Sequence, residues 1–371
     1  MKQDNKIKIA QIAAVIEKAA PIIYAESWDN PGLLVGDPET FVSKVLLSLD
    51  FNENVLDEAI EKGAGLVISH HPFIFSPLKK ITPSDNISRL VLKAIKNNVA
   101  IYAAHTNLDN AFGGLNYIVA DKLHLSNVSV LEATEAKLYK LVTYIPDSHL
   151  DNVKDALFDV GVGSIGNYDR CSNTINSVGS FRAGAGTHPF VGEVGKVHCE
   201  NEIRLEVILP AHLKSVAVKT LLAAHPYEEP VFDLFVLDNK YQRAGSGTIG
   251  ELKEPLSEGD FLQLVKNEMN IPVLRHSCLC NKKIHKVAIC TGAGAFLLNK
   301  AVALGADAFV TADVRYHEFF APDNKLLLID AGHYETEQFA RQWFYSLIKK
   351  NFADFDVQIS ETSLNPVNYC L

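Results

Sequence analysis

The chain has 371 residues, 47% of them hydrophobic, with 44 acidic against 35 basic residues and a formal net charge of −9. This length supports two or three domains with full cores, and the acidic balance argues against broad, nonspecific nucleic-acid binding. The sequence lacks both an apolar stretch of the ~20 residues that span a bilayer and a signal-peptide core, which predicts a cytoplasmic protein with no membrane partner.

Helices and buried strands alternate along the first part of the chain. Helical spacing and helix-boundary residues predict helices at residues 7–19, 53–61 and 88–96. Short, continuously apolar runs predict strands at residues 45–49, 66–69 and 99–103. Because fully apolar strands alternate with helices, we expect a mostly parallel sheet that is covered by helices on both faces.

The middle of the chain has a different order of elements. Strand, helix, strand, strand, helix and strand are predicted at residues 141–145, 150–160, 174–181, 203–209, 212–223 and 231–237. This order is typical of a ferredoxin-like α+β unit, and we interpret it as a domain inserted into the main one. We place its boundary loops near residues 133–138 and 239–246, and we interpret Ala244-Gly-Ser-Gly247 as a flexible exit.

The last part of the chain repeats the pattern of the first. Strands are predicted at residues 286–290, 308–311 and 326–329, and helices at residues 295–304 and 335–349. When Gly63 and Gly305 are aligned, each leads into a buried strand, and His71 falls opposite Asp313. We therefore expect an α/β fold in which two duplicated α/β halves, residues 1–135 and 241–371, form one discontinuous domain around an inserted ferredoxin-like α+β domain, residues 136–240.

Imidazole and carboxylate groups collect at or just past the ends of these predicted strands. A histidine and a carboxylate four residues apart can share one face of a turn or helix, and both bind divalent metals. In open α/β sheets, ligands bind at the carboxyl ends of the strands. We therefore predict one metal centre assembled from both halves, with the ligands His70, His71, Asp109, His333 and Glu337.

Mixed imidazole and carboxylate ligation suits two divalent ions of zinc, iron, manganese, cobalt or nickel, which can activate water for hydrolysis. His105 is a candidate catalytic proton carrier, with a further ligand or a packing residue as alternatives. Asp313 and His317 approach the site from the second half, although Asp313 equally suits a helix start. Trp28, Asp29 and Asn30 are candidates to line the mouth of a substrate pocket, or to form an ordinary turn.

Other patterns carry less information. Thr291-Gly-Ala-Gly-Ala295 lacks the third glycine of a dinucleotide loop, so we interpret it as a close-packed turn. His225-Pro-Tyr-Glu-Glu-Pro230 contains metal-binding residue types, but we interpret it as a solvent loop. The six cysteines are scattered without C-x-x-C spacing, which fits a reducing compartment.

Five motifs together resemble the NIF-three-like family, whose members are widely named GTP cyclohydrolase I type 2 homologs. The motifs are Ser27-Trp-Asp-Asn-Pro-Gly-Leu-Leu-Val-Gly36, Ser69-His-His-Pro72, His105-Thr-Asn-Leu-Asp109, Thr311-Ala-Asp-Val-Arg-Tyr-His317 and Gly332-His-Tyr-Glu-Thr-Glu337. The likeness covers essentially the whole chain. The middle region, with Gly179 to Phe190 and Ala224 to Pro230, is similar to the inserted domain of longer bacterial members, of the signalling-protein-PII and CutA type.

The resemblance implies a two-metal centre in which the five predicted ligands match family ligand positions. It also implies a ring-shaped homo-oligomer, commonly a hexamer. One departure is Ala312, where many relatives have glycine before the aspartate. The family name implies water attack on the imidazole ring of GTP with release of formate. We expect a metal-dependent hydrolase whose metal-activated water attacks a nucleotide or related heterocycle, and the alternative is a metal-binding regulatory or adaptor protein without turnover.

Overall fold

The chain forms two compact units. The computed structural model describes residues 6–134, 137–362, 365–368 and 370. Unit 1 combines Met1–Thr134 with Arg243–Leu371, and unit 2 is Glu135–Gln242. The predicted boundary between residues 135 and 136 lies outside the described residues. The chain returns to unit 1 at Arg243, two residues after the other predicted boundary.

The helices and strands follow one another in this order. The first segment of unit 1 contains β1 (Ile7–Lys8), α1 (Ile9–Ala19), β2 (Gly32–Val35), β3 (Phe41–Val42), β4 (Lys44–Ser48), α2 (Glu53–Lys62), β5 (Leu66–Ser69), α3 (Asn86–Lys96), β6 (Ala100–Ala103), α4 (Thr106–Asp109), α5 (Leu115–Lys122) and β7 (Leu125–Ala133). Unit 2 contains β8 (Lys137–Pro146), α6 (Leu150–Asp159), β9 (Ser172–Arg182), β10 (Val197–Pro210), α7 (Lys214–Ala224) and β11 (Phe232–Lys240). The second segment of unit 1 contains β12 (Gly245–Ser257), α8 (Glu258–Glu268), β13 (Arg275–His276), β14 (Lys283–Ile289), α9 (Leu298–Ala303), β15 (Ala308–Thr311), β16 (Leu327–Asp330), α10 (His333–Glu337), α11 (Ala340–Asn351) and β17 (Asp356–Ile359).

A five-stranded sheet in unit 1 has the strand order β17-β4-β5-β6-β2. Its first four strands run parallel, and β2 pairs antiparallel at the edge. Asn52 caps the start of α2 by accepting a hydrogen bond from the backbone of Val55, and Gly63 ends the helix at φ 68°. The chain therefore turns directly from α2 into β5, whose four residues are all buried.

A second sheet of unit 1 has six strands in the order β13-β16-β15-β14-β12-β7. Strands β14, β15 and β16 run parallel, whereas β13, β12 and β7 pair antiparallel with their neighbours. The mostly parallel sheet predicted from the first part of the chain is therefore the five-stranded one, whereas this six-stranded sheet is mixed. Strands β7 and β12 mix buried with exposed residues, so they lack the continuous apolar runs that identified the other strands.

The exit from unit 2 is part of a strand and not a flexible connection. Gly245 pairs with Ala133, and Thr134 donates its backbone N–H to the carbonyl of Ala244 at 3.0 Å. A Cβ at Gly245 would lie 2.1 Å from the carbonyl oxygen of Glu132. Glycine is needed here because the two strands approach too closely for a side chain.

Two predicted helices are each divided in the structure. The segment 295–304 begins with a 3-10 turn, Ala295–Leu297, before α9. The segment 335–349 is split between α10 and α11, and α11 buries Phe344 and Ile348 while packing against α1. Residues 338–339 separate the short helix α10 from α11. Within the described part of the chain, every helix is too short or too polar to cross a membrane.

Unit 2 contains a four-stranded antiparallel sheet with the strand order β11-β8-β10-β9. Helices α6 and α7 pack together, and their apolar residues share one core with the sheet. That core includes Leu141, Val153, Leu157, Leu205 and Leu221, all fully buried. Because side chains alternate along β8 and β10, the residues between these core positions lie on the sheet face opposite the helices.

Candidate metal centre

The ends of three strands bring together side chains from both segments of unit 1. His70 and His71 follow β5 directly, and Asp109 ends the short helix α4 that follows β6. After β16, Gly332 adopts φ 86° and starts α10, which carries His333 and Glu337 four residues apart. A single helical turn places such a pair on the same side. All five predicted metal ligands therefore reach one location.

Short distances connect these five side chains. The Oε2 atom of Glu337 lies 2.8 Å from Nε2 of His71 and 2.9 Å from Nε2 of His333. The Nε2 atom of His70 lies 3.8 Å from both Oε2 of Glu337 and Oδ1 of Asp109. Three groups have ligand atoms within 4.8 Å of one another: His71, His333 and Glu337; His70, Asp109 and Glu337; and His70, His71 and His105.

Each imidazole of the cluster is held by an acceptor on its outer side. The Nδ1 atom donates to an oxygen that can only accept, so Nε2 faces the cluster and presents its lone pair there whenever the ring is neutral. The Nδ1 contacts are His70 to the carbonyl of Ala104 at 2.8 Å, His71 to Asp50 at 2.8 Å, His105 to Asp29 at 2.8 Å and His333 to Asp313 at 2.7 Å. This pattern is typical of metal-binding histidines.

The Nε2 atom of His70 is buried without a hydrogen-bond partner in the described structure. Burial lowers the pKa of His70 to about 4, so the ring is neutral at neutral pH and Nε2 presents a lone pair. A buried acceptor without a donor is costly, and a cation would satisfy it. The donor set of imidazoles and carboxylates therefore fits a divalent metal.

The two buried carboxylates of the cluster have opposite pKa shifts. Burial and the nearby charge of Glu337 raise the pKa of Asp109, whereas the three surrounding imidazoles outweigh burial and lower the pKa of Glu337. Burial opposes protonation of the histidines, but the carboxylates around them raise the pKa of His71 to about 10 and that of His333 to about 9. Without metal, these two rings supply the positive charge that Glu337 requires.

The structure places the predicted substrate-binding residues in different settings. Trp28 is 61% exposed, and its ring meets His105 edge-on at 5.9 Å beside the cluster. Asn30 donates its side-chain N–H to the carbonyl of Ile74 at 2.7 Å, which fixes the loop. Trp28 therefore borders the site, while Asn30 holds the backbone near it.

Asp313 and His317 also differ in position. Asp313 adopts φ 53° and accepts a hydrogen bond from His333, so it acts through that histidine. His317 lies exposed on a 3-10 turn, Tyr316–Phe320, and its ring contacts Tyr316. The structure does not bring His317 to the cluster.

Two aspartates hold histidines of the site: Asp50, which the sequence did not single out, and Asp29, which it suggested for the mouth of the pocket or for a turn. Asp50 follows β4 and accepts from His71, and Asp29 accepts from His105 and from the hydroxyl of Thr106. Burial alone would raise the pKa of Asp29, but the hydrogen bonds from His105 and Thr106 lower it to about 2. The position of Asp50 just past a parallel strand is the same signal that identified His70.

The segment 291–295 is the close-packed turn that the sequence predicted. Gly292 has φ 61°, and a Cβ there would lie 2.2 Å from Oε1 of Glu337. The hydroxyl of Thr291 donates to Asp109 at 3.3 Å, and its backbone N–H donates to Asn116. The turn therefore encloses both buried carboxylates of the cluster.

A cleft of about 520 Å³ opens beside the cluster. Cavities of this size accommodate small organic ligands. Its walls include His71, His105, Asp109, His333 and Glu337 together with the aromatic residues Trp28, Phe75 and Phe296. Trp28, Phe75 and Phe296 are each at least half exposed, so planar apolar surface faces the cleft next to the metal-binding groups.

Comparison with known proteins identifies the family. The Duf34/NIF3 (NGG1p interacting factor 3) family model matches residues 7–366. The chain belongs to this family. It is 37% identical over 369 residues to the "GTP cyclohydrolase 1 type 2 homolog" of Halalkalibacterium halodurans, covering 97% of this chain and 98% of that protein. It is 35% identical over 367 residues to the protein of the same name in Bacillus subtilis, with the same coverage.

Solved structures of related proteins have the same mixed α/β fold. A crystal structure of a Bacillus cereus protein related to NIF3 superposes with a TM-score of 0.85 at 35% identity, covering 98% of this chain and 99% of that one. A crystal structure of Staphylococcus aureus protein SA1388 gives a TM-score of 0.74 at 30% identity, covering 99% of each chain. The family predicted from the five motifs is therefore confirmed.

Proposed function

We propose that this protein is a dinuclear metal-dependent hydrolase that acts on a nucleotide or a related heterocycle. The observation that carries the proposal is the cluster of imidazole and carboxylate groups at an open cleft with aromatic walls. The names of the curated relatives, which refer to GTP cyclohydrolase 1 type 2, point to the same class of substrate.

The residues that would hold two ions are the five predicted ligands. Glu337 belongs to two of the three close groups and has two carboxylate oxygens, so it is suited to bridge the ions. His71 and His333 would serve one ion, and His70 and Asp109 the other, with zinc, iron, manganese, cobalt or nickel as candidates. When bound, such ions polarise a substrate oxygen and lower the pKa of water toward ~7.

The remaining residues of the cleft would bind substrate and move protons. Trp28, Phe75 and Phe296 present aromatic surface against which a planar base can stack. The Nδ1–H group of His105 donates a hydrogen bond to the ionised Asp29. The Nε2 atom of His105 can therefore accept a proton from water and return it to a leaving group. Asp29 orients His105 and keeps its tautomer fixed.

The test is turnover by purified protein loaded with zinc or manganese and supplied with GTP and a panel of other nucleotides. Chromatography of the products and formate analysis would detect ring opening or hydrolysis. We expect Glu337→Gln to lose at least about 100-fold in rate, because the substitution removes a charged ligand. Glu335→Gln is the matched control, since Glu335 is equally buried on α10 but pairs with Asn365.

Retention of metal without turnover of any nucleotide would contradict the hydrolase. That result would support the alternative function, a metal-binding regulatory or adaptor protein. Elemental analysis of freshly purified protein distinguishes this result from simple loss of metal. It would also identify the native ions.

We also propose that unit 1 arose by duplication and that unit 2 is an inserted ferredoxin-like domain of the PII and CutA type. Each sheet of unit 1 contains three parallel neighbouring strands, β4-β5-β6 and β14-β15-β16, and contributes groups to the cluster. The boundaries we propose are 1–135, 136–240 and 241–371. Superposition of the two halves in an experimental structure tests the duplication.

We further propose a cytoplasmic homohexamer. The support is the family membership, since a ring-shaped assembly is what the motif resemblance implies. Light scattering on the purified chain measures the mass of the assembly directly. A monomeric mass at micromolar concentration would contradict this proposal.

A further inference from the structure

A second cleft of about 520 Å³ lies wholly within unit 2 and is separate from the metal cluster. Aromatic and acidic side chains define it, with Tyr144, Phe181, Phe190 and Tyr227 beside Glu202. Tyr144 alternates with the core residue Ile145 along β8, and Glu202 has the opposite parity to Leu205 on β10. The cleft therefore lies on the sheet face opposite the helices.

A buried carboxylate faces this cleft with one oxygen available. Glu202 is only 8% exposed, and its Oε1 atom accepts a hydrogen bond from the hydroxyl of Tyr227 at 2.8 Å. Among the described residues, no donor contacts the other oxygen, Oε2. Gly179 leaves space for Oε2, because a Cβ at that position would lie 2.3 Å from it. The residue is almost fully buried while Oε2 opens to the cleft without a donor, so this oxygen can accept a hydrogen bond from a ligand there.

Ring contacts join the aromatic walls, and hydrogen bonds hold Tyr227 among them. The ring of Tyr227 lies 6.4 Å from that of Phe181 and 6.2 Å from that of Phe190, tilted by 53° and 46°. His225 donates from Nε2 to the carbonyl of Tyr144 and accepts at Nδ1 from the backbone of Tyr227. The segment 225–230 is a loop, as the sequence suggested, with Glu228 and Glu229 exposed, but it buries His225 and lines the cleft.

The charges around the cleft select the class of ligand. Glu202, Glu228 and Glu229 line it, and Arg182 is the one basic residue among the described lining residues. The excess of acidic over basic side chains disfavours the binding of an anion. The groups that could hold a metal in the described chain all lie in unit 1, so a metal ion is not indicated here. Aromatic faces beside a carboxylate attract organic cations.

We propose that this cleft binds a small primary ammonium ion attached to an aromatic or apolar body. The ammonium group donates to Oε2 of Glu202 and lies against the rings of Phe181, Phe190 and Tyr227. The apolar body occupies the rest of the cleft. This binding site is independent of the metal cluster and of the proposed hydrolase activity.

The test uses the full chain, with benzylammonium at pH 7.5 as the probe and benzyl alcohol as its uncharged counterpart. Calorimetric titration should show one benzylammonium per chain and at least about tenfold weaker binding of benzyl alcohol. Glu202→Gln should weaken benzylammonium binding by about tenfold or more. Glu206→Gln, on the same strand but paired with Lys140 and Arg204 outside the cleft, should bind normally.

Further variants separate loss of binding from loss of folding. Gly179→Ala should abolish binding by displacing the carboxylate, and Phe190→Ala, at a 48% exposed position, should weaken binding while leaving the fold intact. Trp28→Ala, in the other cleft, should leave binding unchanged. Circular dichroism verifies that each variant folds. Four results would overturn the proposal. The wild-type protein could fail to bind benzylammonium, or bind benzyl alcohol equally well. Folded Glu202→Gln or Phe190→Ala could keep full affinity, or Trp28→Ala could lose binding.

Discussion

In each histidine of the candidate metal centre, the two ring nitrogens have different roles. The Nδ1 atom donates outward to Ala104, Asp50, Asp29 or Asp313, and the Nε2 atom faces the cluster. The outer acceptor fixes both the tautomer and the ring orientation before any metal arrives. Preorganised rings bind a cation with little further loss of conformational freedom.

Asp50 is the outer partner whose importance is simplest to test. Asp50→Asn removes the negative charge beside His71, so we expect metal affinity to fall by about 10- to 100-fold. Competition between the protein and a coloured zinc chelator measures this change. Asp57→Asn serves as the control, because Asp57 pairs with Lys93 and takes no part in the cluster. Unchanged affinity in Asp50→Asn would show that Asp50 does not tune His71.

The five predicted ligands could be identified because each is a metal-binding residue type at or just past the end of a predicted strand. His70 and His71 follow a buried strand directly, and His333 and Glu337 repeat the spacing of His105 and Asp109. For Asp29 the sequence suggested a pocket mouth or an ordinary turn, and it did not predict the hydrogen bond with His105. A carboxylate in a turn-forming sequence is usually exposed, and its burial depends on Thr106 and His105, which are distant in sequence.

At the scale of elements, a single turn positions the central carboxylate. Gly292 at φ 61° brings the backbone after β14 against Glu337 on α10. The closeness of this contact allows no side chain at position 292. The geometry of the cluster therefore depends on a residue that offers no ligand atom.

Gly292→Ala should disrupt metal binding even if the protein folds. A Cβ there would lie 2.2 Å from Oε1 of Glu337, so the carboxylate must move. Gly305→Ala is a matched control, because Gly305 also has positive φ, at 72°, but its Cβ would meet open space. Both variants should lose about 1 kcal/mol of stability from backbone strain. Bound zinc, measured by elemental analysis, should fall in Gly292→Ala alone, and equal zinc in the two variants would contradict the role of this contact.

Helix α2 is tied to the segment after β17 by one carboxylate. Glu58 is 7% exposed and accepts hydrogen bonds from Lys62, from the hydroxyls of Ser360 and Thr362 and from the backbone of Glu361. Burial would raise the pKa of Glu58, but these donors prevail and lower it to about 2. The ionised carboxylate therefore stabilises the folded chain.

Glu58→Gln should destabilise unit 1 in a pH-dependent manner. The pKa of Glu58 falls from 4.5 to about 2 on folding, so its contribution is present above pH 4.5 and is lost as the pH falls toward 2. We expect a loss of ~2 to 3 kcal/mol at pH 7 and a loss of ~1 kcal/mol near pH 3. Urea unfolding followed by tryptophan fluorescence measures both values, and Glu61→Gln on the same helix is the control. A difference that is constant with pH would contradict this assignment.

At the scale of the whole molecule, the parallel strands could be predicted and several antiparallel ones could not. Strands β5, β6 and β15 are continuous buried runs, and the sequence located them to within one residue. Strands β7 and β12 are partly exposed and lack continuous apolar runs, and β12 begins with Gly245-Ser-Gly247, which the sequence analysis interpreted as a flexible exit. The element order of unit 2 matched the prediction, and five of its six strands and helices, all but β9, contribute apolar residues to one core.

The pairing of β7 with β12 suggests that unit 2 can be removed without disturbing unit 1. The last residues before unit 2 and the first residues after it are hydrogen-bonded neighbours, with Thr134 bound to Ala244 at 3.0 Å. A two-residue hairpin of the Asn-Gly kind could close this gap in place of residues 135–242. We expect the shortened chain to fold and to bind as much zinc as the full one, which circular dichroism and elemental analysis would check. Retained folding and zinc in the shortened chain would show that unit 1 assembles the candidate metal centre without unit 2.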